Sequence, residues 1–368
     1  MSYKIRNGSL VLCRGSPTLY ASRGMTGLHP KRCWEKLTMG LGFDAIDAIF
    51  REHKYRPING DVVIIGRQTV YFSPNEILDL MRAYGIPSAL PPEEITLDTE
   101  TVNRRTDITQ SKDLITDTSL FKILGVKSIR ALDHSDYEGA EIVHDLMKPL
   151  PNELRGIADF IVDGSTLDNV FSPATAIKNF ADLLRPGGRI LMLNMLSNDH
   201  EPYTMLPPLW YLDYFAANRF LDCKVYILVF PPPKASNAFC INLDWLLDAN
   251  RHVSSFVSPH EMAVLVFAEK GEDSTADIFP AQQHYRSDRE WSVFRKTFAS
   301  FKNSPRPHLT RSRSPMSFFD VRGGYLFMND AYEAVDPGTE AGRIRNGAYH
   351  QGTPGPLRIF HQLLSLRK

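Results

Sequence analysis

The chain has 368 residues, of which 43% are hydrophobic and 23% charged, and its 42 Lys and Arg residues balance 42 Asp and Glu residues. This is the composition of a globular protein, and the charge balance argues against a global field that would draw the chain to nucleic acid or an anionic membrane. Four widely spaced cysteines form no CxxC pair, and no apolar run approaches the roughly 20 residues of a membrane span. We therefore expect a soluble cytoplasmic protein without a metal site.

The first part of the chain predicts an arm followed by the start of an α/β unit. Residues 1–40 carry few periodic apolar positions and predict an irregular amino-terminal arm. A helical pattern then runs from about Phe43 to Glu52. The run VVII at 62–65 predicts a buried parallel strand, and SPNE at 73–76 predicts a capping box with proline at the first helical position. We expect the main domain to span residues 41–272.

Alternating patterns continue through that domain. Short apolar runs predict further strands at 128–132, 141–144, 160–162, 189–193, 224–230 and 262–268. Helical patterns lie at 120–124, after Ser172-Pro173 and through the aromatic segment 209–220. The pattern predicts an α/β fold, a Rossmann-like seven-stranded and mostly parallel sheet with helices on both faces.

Two segments are set apart by composition. Residues 86–117 are rich in Pro, Thr and acids, and predict an insertion or a lid. Residues 273–368 change character and predict a carboxyl-terminal extension, in which the Pro-, Ser- and Arg-rich stretch 303–317 is flexible. We expect that self-association, if the chain has it, uses these terminal extensions.

Residues 157–194 carry the most informative motif, a strand, a capped helix, the turn LLRPGG and another strand. This stretch resembles the second half of a class I S-adenosylmethionine-dependent methyltransferase, in which such a strand, turn and strand sit beside the cofactor. STLDNVF, at 165–171, stands where many relatives have LEHV. The resemblance covers roughly residues 60–270. IIGRQ and LDHSDYEGAEIVHDLMKPLP are similar to a poorly characterised group of methyltransferase-like proteins that lacks the usual glycine motif.

An open parallel sheet binds its ligand outside the carboxyl ends of its strands, where the strand order reverses. The resemblance gives the residues at those ends a task. Gly66 lets the backbone approach the cofactor, Asp133 accepts the ribose hydroxyls, and Asp145 with Leu146 faces the adenine. The full set of cofactor-binding candidates is Gly66, Arg67, Gln68, Asp133, His134, Asp145, Leu146, Asp163 and Gly164.

The first loop departs from the family pattern. The family has an acid followed by three alternating glycines, whereas this chain has Gly66 alone in IIGRQTVYF. Arg67 and Gln68 offer a replacement, since a guanidinium pairs bidentately with a carboxylate such as that of the methionyl group. An arginine after a strand also pairs with nearby acids, and both interpretations stay open for Arg67.

The substrate is expected beyond the fifth strand, in the loop 198–203 and the aromatic segment after it. His200 is the candidate catalytic base, because the pKa of a histidine lies near neutrality. Glu201, Tyr203, Trp210 and Tyr211 are the candidate walls of the substrate pocket. Aromatic residues at helical spacing are also common core residues, and that alternative applies to Trp210 and Tyr211.

These observations favour an S-adenosylmethionine-dependent methyltransferase that acts on an oxygen or nitrogen atom of a small-molecule or sugar-like metabolite. The alternative is a methyltransferase-like protein without catalysis, either a scaffold or regulatory subunit or a protein that binds a nucleoside ligand. A third possibility is other chemistry on a nucleotide-linked substrate. The sequence has no GxSxG elbow, Walker loop or GxGxxG fingerprint. We expect a small-molecule partner and neither nucleic acid nor membrane.

Overall fold

The computed structural model describes residues 4–6, 9–11, 40–99, 101, 113–197, 202–230, 239–247, 256–257, 261–309, 319–322 and 325–328. The chain divides into two compact units, Met1–Lys36 and Leu37–Lys368. In the first unit, strands β1 (Lys4–Arg6) and β2 (Ser9–Val11) pair antiparallel. The second unit holds the remaining elements.

An eight-stranded sheet is the centre of the second unit. Its strands are β3 (Asp61–Ile65), β4 (Ser128–Asp133), β5 (Ile142–Val143), β6 (Ala158–Gly164), β7 (Leu184–Ser197), β8 (Asp222–Phe230), β9 (Phe239–Asn242) and β11 (Glu261–Glu269). Their order is β5-β4-β3-β6-β7-β11-β8-β9. The first five in this order are mutually parallel, and β11 pairs antiparallel with both β7 and β8. A small separate sheet joins β10 (Phe256–Val257), β13 (Tyr325–Met328) and β12 (Phe319–Arg322).

Helices cover both faces of the large sheet. They are α1 (Phe43–Tyr55), α2 (Pro74–Tyr84), α3 (Asp117–Ile123), α4 (Pro173–Leu183), α5 (Pro208–Ala217) and α6 (Asp288–Asn303). Apolar residues of α1, α2 and α3 form one core with one face of the sheet, and those of α4, α5 and α6 form a second core with the other face. None of the described helices is both long enough and apolar enough to cross a membrane.

The predicted Rossmann-like α/β sheet is confirmed, with one correction. It has eight strands rather than seven, because β9 adds an antiparallel edge strand beside β8. The capping box of α2 is also confirmed, since Ser73 and Glu76 exchange hydrogen bonds, and Gly85 ends the helix at φ +65°. Such local signals are read directly from sequence because each depends on residues only a few positions apart.

Two segments that the sequence set apart contribute to the core. Helix α6 lies in the predicted extension, yet Phe294, Phe298 and Phe301 are buried in the core beside α5. At the ends of the predicted insertion 86–117, Ile95 and Ile115 are buried against the opposite face. The middle of the insertion and residues 310–317 of the predicted flexible stretch lie outside the described residues, and so does most of the predicted arm. The lid therefore stays a prediction.

The LLRPGG segment, residues 183–188, lies at the amino edge of the parallel strands. Five of its six residues are the first residues of β7, which begins at Leu184, and here Arg185 pairs with Asp61 and Asp159. Gly187 adopts φ +78°, which favours glycine. This segment therefore lies at the opposite edge of the sheet from the loops that follow β3 and β6.

Candidate functional site

The strand order reverses between β3 and β6. From β3 the chain adds β4 and then β5 on one side, and from β6 it adds β7 on the other side. The crevice between the carboxyl ends of these two neighbours is where open α/β sheets bind ligands. Residues 66–68 follow β3 and residues 165–167 follow β6, so the topology brings together two loops that are about a hundred residues apart.

Position 66 requires glycine for two reasons, its backbone conformation and the limited space around its Cα. Its φ is +68°, a conformation that side chains rarely adopt. A Cβ at this position would lie 3.0 Å from Thr166 Oγ1 and 3.6 Å from Asp133 Oδ2. The Thr166 hydroxyl is held in place because it donates to the carbonyl of Ile65 at 2.9 Å. Because Gly66 has no side chain, the end of β3, the end of β4 and the loop after β6 pack together at this position.

Asp133 ends β4 and directs a carboxylate oxygen toward Gly66. Its Oδ1 accepts from the backbone N–H of His134 at 2.5 Å, while Oδ2 is the oxygen nearest to Gly66. The side chain is partly exposed, and within the described residues it has no ion-pair partner. This leaves a carboxylate free to accept hydrogen bonds at the switch point. The His134 side chain is exposed beside it.

Gln68 fills part of the crevice. Its side chain is buried and donates to the carbonyls of Ile65, at 3.1 Å, and Gly66. Its Oε1 lies across Gly164, so closely that a Cβ on Gly164 would collide with it. Gly164 is therefore bare because a neighbouring side chain occupies the space above it.

The guanidinium of Arg67 already has protein partners. It pairs with Asp117 at 3.2 Å and with Glu141 at 2.8 Å, and it donates to the carbonyl of Gly139 at 2.9 Å. Burial raises the pKa of Asp117, and the charge of Arg67 opposes that rise. Of the two interpretations of Arg67, these contacts are those of an arginine paired with neighbouring acids.

Asp145 and Leu146 belong to a tight turn after β5. The Asp145 carboxylate accepts from the backbone N–H of Met147 at 3.0 Å and pairs with Lys148, and both contacts lower the pKa of Asp145. Leu146 is buried in the core, and the buried amide of Asn179 donates to its carbonyl. The turn is thereby fixed to α4, with the acid partly exposed.

Below the crevice lies a buried acidic pair. Asp163 accepts from the backbone N–H groups of Thr166 and Leu167 and from the side chain of Asn194 at 2.8 Å. Burial, with the nearby charge of Asp168, raises the pKa of Asp163 to about 7. Asp168 is also fully buried, and its pKa is likewise raised by burial. These acids order the loop after β6 and are sealed from solvent.

The predicted substrate residues occupy three different environments. Tyr203 is 73% exposed and meets Phe171, 81% exposed, edge to face at 6.1 Å between ring centroids. Trp210 is partly buried, whereas Tyr211 is fully buried, and its hydroxyl has no hydrogen-bond partner among the described residues. Tyr211 is therefore a core residue, which was the alternative interpretation of the aromatic segment. His200 and Glu201 lie outside the described residues.

Thr166, Asn194 and Phe171 were not predicted as site residues. Thr166 and Phe171 lie in STLDNVF, so the motif signalled the segment although not these side chains. Asn194 stands inside a strand run, and nothing local signals its contact with Asp163, 31 positions earlier. Within the described part of the chain, no group of three or more His, Cys, Asp or Glu residues is arranged to hold a metal ion.

Comparisons with known proteins add weak likenesses. No family model and no curated protein matches the chain. A Burkholderia thailandensis 1,6-didemethyltoxoflavin-N1-methyltransferase, solved with S-adenosylhomocysteine, is 14% identical over 61% of this chain and 76% of its own, with a TM-score of 0.29. A 16S rRNA (adenine(1408)-N(1))-methyltransferase from Catenulisporales acidiphilia is 13% identical over 56% of this chain and 97% of its own, with a TM-score of 0.24. At these scores the likenesses assign neither family nor activity.

Proposed function

We propose that the carboxyl edge of the sheet binds S-adenosylmethionine and that the chain transfers a methyl group to an oxygen or nitrogen atom of a small-molecule or sugar-like metabolite. The carboxylate of Asp133 carries this proposal. It has no ion-pair partner among the described residues and lies beside the bare Cα of Gly66 at the switch point. An acid in that position accepts ribose hydroxyls in other nucleoside-binding folds.

The residues present fit the nucleoside part of the cofactor best. Asp133 would hold the ribose, Gly66 would admit it, and the turn with Asp145 and Leu146 would flank the adenine. At the amino-acid end, four N–H groups of Arg67 face protein acceptors, which leaves less of its guanidinium for a carboxylate. Gln68 is better suited there, since its Oε1 has no donor among the described residues and accepts from an ammonium group.

When bound, the cofactor supplies a methyl carbon on a sulfonium, from which the acceptor's lone pair displaces sulfur with loss of one proton from the acceptor. The chain's own contribution is alignment and exclusion of water. Asp163 supports that alignment from below, because it ties the loop after β6 to Asn194 of β7. His200 remains the proposed base for a hydroxyl acceptor, and Tyr203 with Phe171 forms an aromatic lip for the substrate.

One observation favours a second candidate, a nucleoside-binding protein that does not methylate. Gln68 lies across Gly164, and Arg67 is committed to Asp117 and Glu141, so the space for the methionine end is partly used by the protein itself. A site that keeps Asp133 for the ribose but fills the space for the methionine end would bind adenosine as tightly as it binds S-adenosylmethionine.

Calorimetric titration of the full chain with S-adenosylmethionine, S-adenosylhomocysteine and adenosine separates these candidates. A methyltransferase should bind the first two saturably and more tightly than adenosine, and should transfer label from methyl-labelled cofactor to a metabolite mixture. Equal affinity for adenosine, without transfer, supports the second candidate. Absence of heat and of any thermal shift with all three ligands at millimolar concentration contradicts both.

A further inference from the structure

A cleft of about 350 Å³ opens at the amino edge of the sheet, away from the proposed cofactor site. Its walls come from the carboxyl-terminal ends of α1 and α2, from β11 and from the segment 306–309. Tyr55, the last residue of α1, lines the cleft and comes six positions before Asp61, the first residue of β3, which places the cleft at the beginning of the parallel strands. Its volume lies within the roughly 300–1,000 Å³ typical of small-molecule pockets.

Aromatic rings give the cleft an apolar interior. Tyr55, Tyr84 and Phe267 line it, and the aliphatic residues Ala83 and Leu309 extend this surface. Phe267 and Tyr84 are buried, so their positions are fixed by the core. Such a surface suits a planar apolar body, which would stack on or pack against the rings.

The charged groups of the cleft are predominantly positive. Arg51, Lys54 and Arg306 line it together with one acid, Glu52. The Glu52 carboxylate is buried and is shared between Arg189 and Arg306, so it presents little negative charge to a ligand. Arg306 is similarly committed, since it also pairs with the acids of β8 and β11.

Two cations keep donors available for a ligand. Arg51 uses its Nε to bind Asp47, and among the described residues its two terminal nitrogens have no acceptor. Lys54 is exposed and, within the described ranges, donates only to the carbonyl of Tyr84, at 2.9 Å, which leaves two of its three N–H groups. Both side chains stand on the same wall, one turn apart on α1.

We propose that this cleft is a second ligand site, which binds a small organic anion with a planar aromatic body. The ring system packs against Tyr55, Tyr84 and Phe267, and a single carboxylate or sulfonate group reaches Arg51 and Lys54. The site is separate from the proposed cofactor edge and does not depend on the proposed function.

The probe for this site is 8-anilinonaphthalene-1-sulfonate, which combines aromatic rings with one sulfonate, titrated into the full chain by fluorescence. N-phenyl-1-naphthylamine, which has the same rings without the charge, is its neutral counterpart. We expect one saturable site for the sulfonate and at least fivefold weaker binding of the neutral compound. Lys54→Met and Arg51→Met should each weaken sulfonate binding at least fivefold while leaving the neutral compound unchanged.

Lys122→Met is the matched control, because Lys122 is also an exposed lysine in the last turn of a helix, away from the cleft. It should leave the affinity unchanged. Ala83→Phe tests the space rather than the charge, and should abolish binding by filling the cleft. The proposal is overturned if binding does not saturate, if Lys54→Met and Arg51→Met behave as Lys122→Met does, or if S-adenosylhomocysteine displaces the probe.

Discussion

The two edges of the central sheet differ in the pairing of their acids, although Arg67 pairs with Asp117 and Glu141 at the carboxyl edge. At the amino edge, Glu52, Asp222 and Glu269 all pair with arginines, chiefly with the buried Arg306. At the carboxyl edge, Asp133, Asp163 and Asp168 have no ion-pair partner among the described residues. The first edge joins α1, two strands and the segment after α6 into one network. At the second edge, hydrogen bonds hold the buried Asp163 and Asp168, and Asp133 is partly exposed.

This difference separates acids that stabilise the fold from an acid that is available to bind a ligand. A buried charge is tolerated when a partner and hydrogen bonds compensate its lost hydration, as they do around Arg306. An acid that lacks such a partner has a less stable ionised form. Either its pKa is raised, or a bound ligand compensates its charge. Burial raises the pKa of Asp163, whereas the partly exposed Asp133 is free for a ligand.

The largest effect is expected from breaking the network of the amino edge. Glu52→Gln removes the anion that Arg189 and Arg306 share, and leaves two buried guanidiniums with fewer partners. We expect a loss of about 3–5 kcal/mol in the free energy of unfolding. Urea denaturation measures this loss.

The control for that variant is Asp79→Asn, which breaks the exposed pair between Asp79 and Arg82. It should change the free energy of unfolding by no more than about 0.5 kcal/mol. Equal effects of the two substitutions would mean that the buried network does not stabilise the amino edge.

The next effect concerns the pH dependence of stability. The pKa of Asp163 is about 7 in the folded chain, above its usual value of 3.8, so the folded chain holds this proton more tightly than the unfolded chain. Its stabilising contribution is fully present below pH 3.8 and is lost as the pH rises to about 7. Relative to Asp163→Asn, the free energy of unfolding of the wild type should therefore fall by about 2–3 kcal/mol between about pH 5 and about pH 8.

Urea denaturation at the two pH values checks this slope, with Asp273→Asn as control because Asp273 is exposed. The control should follow the wild type at both pH values. A slope that Asp163→Asn leaves unchanged would show that Asp163 ionises normally inside the fold.

A smaller effect is expected at Gly66. Alanine there adopts a left-handed conformation and also meets Thr166 Oγ1, so we expect a loss of about 1–2 kcal/mol in the free energy of unfolding. Affinity for S-adenosylhomocysteine should fall as well, because the Cβ stands in the crevice. Gly85→Ala is the matched control, since Gly85 has nearly the same φ with no neighbour within 4 Å of its Cβ position. If Gly85→Ala weakens ligand binding equally, Gly66 has no special role in the site.

Much of the fold follows from local signals in the sequence. The apolar runs of β3, β4 and β6 and the capping box of α2 predict those elements to within a few residues. The carboxyl ends of the strands then indicate where Asp133 and Gly66 lie. These signals suffice because each rests on neighbours along the chain or on a general rule for parallel sheets.

The contents of the site depend on contacts that local patterns do not encode. Arg67 meets Asp117 and Glu141, which are 50 and 74 positions away, and these contacts change its relation to a ligand. Gln68 covers Gly164 on another strand, and Arg306 reaches back across 254 positions to Glu52. Arg306 has no periodic or capping role in the sequence pattern, and it meets its acidic partners only once α1, β8 and β11 are assembled in the fold.

The central claim is that Asp133, which has no ion-pair partner in the part of the chain that the structure describes, is a ribose-binding carboxylate at the carboxyl edge of the sheet. Its most direct test is the affinity of Asp133→Asn for S-adenosylhomocysteine, measured by calorimetry beside Asp136→Asn, which removes an exposed acid of the same loop. We predict at least tenfold weaker binding for Asp133→Asn, about 1.4 kcal/mol or more, with unchanged stability and a control that binds as the wild type does. Equal affinity of Asp133→Asn and the wild type would contradict the account.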